Sequence, residues 1–281
     1  MKERLTLFQR YERAYGGLFG KKPKRHHFNF EIHLIDSCNL SCKGCIHFAP
    51  LARKESEYPI DEFERDLRRI SEVFHGKFGW IHLLGGEPLL NKRIEDYLDI
   101  VGKCVKKGTV DLVTNGILLP TMGESFFAAC KRNHIRIAIT RYPIDFDYDK
   151  AMKLVLDHGC EAYFFGDRAD GFCEPALVPE SKASSKNNYL HCLVANACVT
   201  LDHGKLTYCS VPAFVRLYNE AFGNTFEDKD EWISIYDHGK KEILDFLRTP
   251  HEFCKHCDLD YRNDHLSPWA ISKKEKEEWL R

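Results

Sequence analysis

Hydrophobic and polar positions alternate along this chain in two rhythms. Phe30, Ile32 and Leu34 are interleaved with Glu31 and His33, the period-two pattern of a strand. Through 59–75 the spacing becomes helical. There Phe63, Leu67, Ile70 and Phe74 form one apolar stripe, and Asp61 with Glu64 is placed as a capping box. A short apolar strand is predicted at 80–84. Ile94, Tyr97, Leu98, Val101 and Val105 then trace a second amphipathic helix, which Gly108 is expected to close. The same alternation predicts strands at 110–114, 135–140 and 162–165 and helices at 122–132 and 148–158.

Strand and helix in regular succession predict parallel βα units with right-handed crossovers. The rhythm runs only from about 28 to 166, whereas an eightfold barrel needs roughly 250 residues. The expected fold class is therefore α/β, a partial (β/α)6-type TIM barrel. The segment 167–188, rich in Pro, Ser, Lys and Asn, is expected to be a loop or lid. Beyond it the rhythm is lost. The apolar stretches 199–201 and 206–208 flank Asp202-His203-Gly204 as a hairpin, and Lys240–Arg248 reads as a helix ended by Pro250. Three parts follow: a basic, peripheral leader at 1–27 with Lys21, Lys22, Lys24 and Arg25; the partial barrel with its lid loop at 28–188; and a small α+β module at 189–281.

Composition narrows the function classes. Forty-one basic against forty-two acidic residues leave no electrostatic footprint for nucleic acid or an anionic membrane. No apolar run approaches the ~20 residues of a bilayer span, and the charged stretch Met1 to Arg10 lacks the apolar core of a signal peptide. A cytoplasmic protein is expected. Twelve cysteines in that compartment point to metal or redox chemistry rather than disulfides. Cys104, Cys130 and Cys160 are solitary in helix-like surroundings and are assigned to the core.

Cys38-Asn39-Leu40-Ser41-Cys42-Lys43-Gly44-Cys45 follows directly on the first strand. Three cysteines in eight residues can wrap one face of a cubane cluster and leave one iron open to a cofactor, whereas electron carriers use four thiolates. Zinc completed elsewhere, for instance by His47, is the alternative, although zinc sites are usually built from Cys-x-x-Cys pairs. Gly85-Gly86-Glu87-Pro88 follows the second strand, and Thr114-Asn115-Gly116 ends the third.

The spacing CxxxCxxC after the first strand, with the GGEP stretch after the second, resembles the radical S-adenosylmethionine superfamily. The resemblance implies a catalytic [4Fe-4S] cluster on Cys38, Cys42 and Cys45, and S-adenosylmethionine chelating its open iron. A reduced cluster then cleaves the sulfonium to a 5′-deoxyadenosyl radical that takes hydrogen from substrate. It also implies cofactor contacts from Gly85, Gly86, Glu87, Pro88 and Asn115, from Thr140 at the fourth strand end, and from Arg141, whose fork suits a carboxylate. Relatives carry an aromatic residue before the third cysteine. This chain has Gly44 there, so His47 or Phe48 is the expected substitute.

Cys192, Gly204, Cys209 and the pair Cys254-x-x-Cys257 resemble the twitch, or short SPASM, auxiliary-cluster pattern. This implies a second [4Fe-4S] cluster with four thiolates, although a four-cysteine zinc site uses the same chemistry. Cys198 and Cys173 stand outside that set as core residues or hydrogen-donating thiols. Twitch relatives include aminocyclitol dehydrogenases. The first expectation is thus oxidation of a secondary alcohol of a sugar, sugar nucleotide or aminocyclitol, with a reducing partner such as flavodoxin or ferredoxin. Radical modification or epimerisation of a peptide residue is the second. A zinc-stabilised, non-catalytic binding protein is the third, with the charged run at 273–278 as an interaction helix or a solvated face. Tyr142, Asp145, Asp147, Arg168, Tyr261, Arg262, His265 and Trp269 are unranked candidates for a polar pocket.

Overall fold

The periodic first half folds as its pattern predicts, with ends shifted by at most three residues. The computed structural model describes residues 7–24, 27–53, 56–166, 171–172, 174–223 and 225–281. Helix α1 (Leu7–Phe19) precedes β1 (Phe30–Ile35), and the chain then alternates through α2 (Ile60–Phe74), β2 (Lys77–Gly85), α3 (Ile94–Cys104), β3 (Lys107–Thr114), α4 (Glu124–Arg132), β4 (Ile135–Ile139), α5 (Tyr148–Asp157) and β5 (Ala162–Phe164). After these come β6 (Gly171–Phe172), α6 (Ser185–His191), β7 (Thr200–Asp202), β8 (Lys205–Thr207), α7 (Ser210–Phe222), β9 (Ile233–Ser234), α8 (Lys240–Arg248), α9 (Leu259–Asp264) and β10 (Ser267–Pro268). No helix among the described residues is long and apolar enough to cross a membrane.

One sheet runs in the order β5-β4-β3-β2-β1-β7-β8-β9, and β6 pairs separately with β10. Strands β1 to β5 are mutually parallel, and β7 adds parallel to β1. The partial barrel therefore has six parallel strands, but the sixth comes from beyond residue 189 and extends the edge at β1. The predicted hairpin is present as the antiparallel pair β7–β8. Three-residue strands carry too little periodicity to announce a parallel partner as well.

The two faces of the sheet differ. Ile32, Leu34, Ile81, Leu83, Leu112, Ile137 and Ile139 are fully buried on one face, in a core shared with Leu67, Ile70, Leu98, Val101, Phe126 and Val155. Each such side chain contributes roughly 1.5–3 kcal/mol through burial. Cys104, Cys130 and Cys160 lie in the same core. The opposite face carries a polar row in one register, Thr200, Glu31, His82, Asp111 and Arg136 on β7, β1, β2, β3 and β4. Arg136 grips Asp111 with two bonds of 2.7 and 3.0 Å. Helix α7 covers this face beside β1, its Phe214 ring stacked 3.5 Å from His33.

Several local expectations are corrected. Pro59 occupies the N-cap of α2 without a side-chain cap bond; Glu64 instead pairs with Arg68 one turn on, at 2.9 Å. Gly108 does not close α3, which ends against Val105. It lies inside β3 at φ 144, where a Cβ would meet Phe78 O at 2.9 Å. The lid segment contains β6 and the start of α6. Lys22 is not peripheral: it is 2% exposed, donates to Cys192 O and lies 5.7 Å from the Tyr189 ring. In the charged run at 273–278, Glu278 is buried and accepts from Ser272 Oγ and, at 2.6 Å, from Lys273 N. Residues 273–277 are exposed and only a 3-10 turn forms at Lys276–Glu278, so the run is a solvated face pinned at its end by Glu278 and not an interaction helix.

Candidate active site

Strand β1 delivers the cysteine loop. After Ile35 the chain turns through Asp36 and Ser37 to Cys38, and β2 runs alongside with little room to spare. Gly86 N donates to Ile35 O and Glu87 N to Ser37 O, both at 2.9 Å. A Cβ on Gly85 would collide with Ile35 O, and one on Gly86 with Ser37 O. The glycine pair is thus required by the backbone leading into the first cysteine, a reason separate from approach to a ligand.

Glu87 is fully buried and binds three donors. Its Oε1 accepts from Leu89 N at 3.0 Å and from Thr114 Oγ1 at 2.7 Å, and its Oε2 accepts from Asn115 N at 2.8 Å. Burial raises its carboxyl to about 7 although all three bonds favour the charge. This carboxyl ties the end of β2 to the end of β3. Asn115 passes the tie on, donating from Nδ2 to Asn39 Oδ1 at 2.6 Å with Cys38 Sγ 3.9 Å away. Thr140 N donates to Thr114 O at 2.9 Å, so β4 ends in the same layer. Pro88 is buried at the start of a 3-10 turn. The Arg141 guanidinium lies 4.3 Å from the Phe164 ring, and its buried Nε makes no hydrogen bond.

The three thiols share one environment. Burial pushes Cys38 up, with Glu87, Cys45 and Cys42 adding to the shift. Burial likewise raises Cys45 and takes Cys42 to about 12, against a lowering bond from Trp269. Tyr142 lies beside them, its hydroxyl driven far upward by burial and then by Cys42, Cys45, Cys38 and Glu87. A solvent-open cavity of about 540 Å³ reaches Cys38 between Ser37, Asn39, Glu57, Leu90 and Lys92. Beneath the loop, Arg216 donates to Asp36 at 2.6 Å, His33 Nδ1 bonds Asp36 at 2.9 Å, and His33 Nε2 shares a 2.7 Å bond with His47 Nδ1. Despite burial, His33 and Arg216 hold the Asp36 carboxyl at about 2.

The expected aromatic substitute is corrected. Phe48 is fully buried and packs 6.0 Å from Trp279 and 6.3 Å from Tyr218, while His47 is engaged with His33. Gly44 has φ 62, and a Cβ there would meet Glu174 Cγ at 2.6 Å, which explains glycine at that position. The aromatics at the cysteines are instead Tyr142 and Trp269, whose ring centroids lie 6.3 Å apart. Of the other unranked residues, Asp147 caps α5, and Tyr261 stacks on His265 and faces Arg281. Arg168 and Cys173 lie outside the described residues.

A second, narrow cavity of about 20 Å³ is lined by Cys192, Cys209, Cys254 and Cys257 together with Tyr208, Pro212, Phe253, Leu259 and Arg262. The chain reaches it from three segments, Asn188 to Ala195, Tyr208 to Pro212 and Phe253 to Arg262. Ala195 N donates to Cys192 Sγ at 3.4 Å, and Asn188 Nδ2 donates to Cys254 O and Cys257 O at 2.9 and 2.8 Å. Burial, then Cys192, raises the Cys209 thiol; burial, then Cys257, raises Cys254. Cys198, half-buried, is not part of this lining. Among the described residues, no three of His, Cys, Asp and Glu come close enough to share a single metal ion.

Local sequence signals do not reveal the C-terminal clasp. Lys43 N donates to Ala270 O at 2.8 Å, Ser272 N to Ser41 O at 2.7 Å, and Trp279 Nε1 to Cys45 O at 2.9 Å. Leu177 N donates to Trp279 O at 2.9 Å, and Leu177 also bridges to Cys257. Residues more than 220 positions away thus hold the first cysteine loop.

Comparison with known proteins agrees with this geometry. Residues 32–152 match the radical SAM superfamily model, so the cysteine loop, the GGEP stretch, most of β1 and β2 to β4 lie in a radical SAM domain. That domain implies S-adenosylmethionine and one [4Fe-4S] cluster, and it favours the radical reading over a non-catalytic zinc protein. Molybdenum cofactor biosynthesis protein 1 of Dictyostelium discoideum is 33% identical over 96 residues, 34% of this chain and 15% of that protein. A GTP 3′,8-cyclase of Nostoc punctiforme is 32% identical over 117 residues, 41% of this chain and 35% of that enzyme. The chain thus matches well under two thirds of the length of these curated relatives. Among solved structures, native anSMEcpe with bound AdoMet superposes with a TM-score of 0.52 at 12% identity, covering 87% of this chain and 93% of that one. BtrN in complex with AdoMet and 2-DOIA gives 0.51 at 13% identity, covering 84% and 94%. These likenesses establish the partial-barrel fold.

Proposed function

We propose that this chain is a radical S-adenosylmethionine oxidoreductase that converts a secondary alcohol of a sugar, sugar nucleotide or aminocyclitol into a ketone. The observation that carries the reading is the second cavity, where four thiols from three separate segments meet. Going from alcohol to ketone removes one hydrogen atom, one proton and one further electron, and a four-thiolate cluster there would accept that electron. A low-potential donor of the flavodoxin or ferredoxin type would supply the electron that starts each turnover.

The donor sets fit these groups. Cys38, Cys42 and Cys45 would hold the first cluster and Cys192, Cys209, Cys254 and Cys257 the second, within a C-terminal module at 189–281. The orphaned Nε of Arg141 is a suitable partner for the cofactor carboxylate. When bound, the first cluster and S-adenosylmethionine supply a carbon radical that abstracts hydrogen. The residues of the chain hold the loop in position. Glu87 and Asn115 fix the strand ends against the cysteine loop, and Tyr142 and Trp269 lie against the thiols.

Iron and sulfide content after anaerobic reconstitution tests the reading, with wild type compared against a Cys38/Cys42/Cys45 triple alanine variant. About eight irons falling to about four is expected. About four falling to none would remove the second cluster and with it the proposed electron acceptor.

A further inference from the structure

Trp269 stands out among the residues around the cysteine loop. Its Nε1 lies 3.2 Å from Cys42 Sγ, and an indole N–H can only donate. We propose that Trp269 is a positioning residue that donates a hydrogen bond to the Cys42 sulfur and thereby raises the reduction potential of a cluster bound there. The inference rests on the reading of Cys38, Cys42 and Cys45 as cluster ligands.

Three features hold the indole in place. Backbone bonds from Lys43 to Ala270 and from Ser272 to Ser41 run on either side of Cys42, so the segment carrying Trp269 lies beside the loop like a paired strand. The β6–β10 ladder anchors that segment immediately upstream, pairing Ser267 with Phe172 and Pro268 with Gly171. Downstream, Glu278 binds Ser272 and Lys273, while Trp279 reaches Cys45 O. The donor is therefore delivered by tertiary structure and needs little reorganisation to keep its bond.

The effect on potential follows from charge. Reduction of a cluster held there would place part of the added negative charge on the ligand sulfurs. A fixed N–H dipole aimed at one sulfur stabilises that reduced form more than the oxidised one, so reduction becomes easier; hydrogen bonds to the sulfurs are among the protein's means of setting cluster potentials. Asn115 Nδ2, 3.9 Å from Cys38 Sγ and committed to Asn39 at 2.6 Å, is a much weaker donor to its thiol. Cys42 is where removal of one donor should be felt.

The test is a potentiometric titration of the anaerobically reconstituted full chain, with dithionite as reductant and the cluster read by electron paramagnetic resonance. The signal followed is the one abolished in the Cys38/Cys42/Cys45 alanine variant. Trp269→Phe keeps a ring in place and removes the donor. It is expected to retain its iron and to lose about tenfold in the reduction equilibrium, a 59 mV fall for one electron. Electron–nuclear double resonance in H₂O against D₂O should show one exchangeable-proton coupling in wild type that is lost in Trp269→Phe, while that of the Leu40 N–H bonded to Cys38 Sγ at 3.3 Å persists. An unchanged potential with iron retained would overturn the inference, as would a Trp269→Phe protein that loads no first cluster, because Trp269 would then be only a brace. A wild-type chain without the cysteine-dependent signal would instead defeat the underlying reading of the site.

Discussion

Glu87 offers a perturbation whose sign and size follow from its surroundings. Its carboxyl is fully buried and raised to about 7, burial outweighing the bonds from Thr114, Asn115 and Leu89. The ordinary value is about 4.5, so between about pH 4.5 and 7 the native chain holds a proton that the unfolded chain has released. Stability must then fall as pH rises through that window and level off above it. The shift is worth about 3 kcal/mol, or about 6 °C in Tm for a chain of this length. Glu87→Gln keeps the shape and cannot titrate. At pH 5 the variant should be the less stable by about 1 kcal/mol, because its amide NH₂ must oppose a donor, Asn115 N–H in the cheaper orientation. By pH 8.5 the difference should have moved in the variant's favour by about 3 kcal/mol. Urea unfolding of the two proteins side by side, followed by circular dichroism at pH 5, 6, 7 and 8.5, measures this, since groups common to both cancel. Parallel stability profiles would refute the reasoning and show that Glu87 is not a buried proton-holding brace.

Gly86→Ala should displace the backbone at Ser37 and reduce iron bound at the first cysteine set by more than half, while iron dependent on Cys209 persists; metal analysis reads both. Phe48→Ala should cost about 3–5 kcal/mol in urea unfolding, whereas Phe48→Leu should leave S-adenosylmethionine affinity by calorimetry within twofold of wild type, since the ring packs on Trp279. Cys198→Ser should leave iron content unchanged, and Cys209→Ser should lower it by about four per chain.

Much of the site is local and could be read without a fold. Cys38, Cys42 and Cys45 lie within eight residues of one another, and GGEP and Thr114-Asn115 each follow a strand that periodicity reveals. Cys192, Cys209, Cys254 and Cys257, the set that the resemblance to the twitch pattern implied, line one cavity that Cys198 does not reach. Stripes such as Phe63, Leu67, Ile70 and Phe74 require only that one face be buried, and Cys104, Cys130 and Cys160 fell to the core for the same reason. Local patterning misled where a residue's partner lies elsewhere. Asp61 and Glu64 had the spacing of a capping box, yet Pro59 holds the cap position. Lys22 had the look of surface charge until its ammonium met Cys192 O.

The sequence by itself therefore determined the βα alternation, the residue types of both cysteine sets and the glycines that let β2 approach the loop. These depend on interactions within a few residues or on a single apolar face. Only the tertiary structure decided that β7 would extend the sheet at β1, that Phe48 would be spent in the core, and that Trp269 and Trp279 would return to Cys42 and Cys45. Such pairings join residues up to 234 positions apart, and no local period encodes them. They are selected by which edge, donor or cavity is left unsatisfied once the local elements have packed.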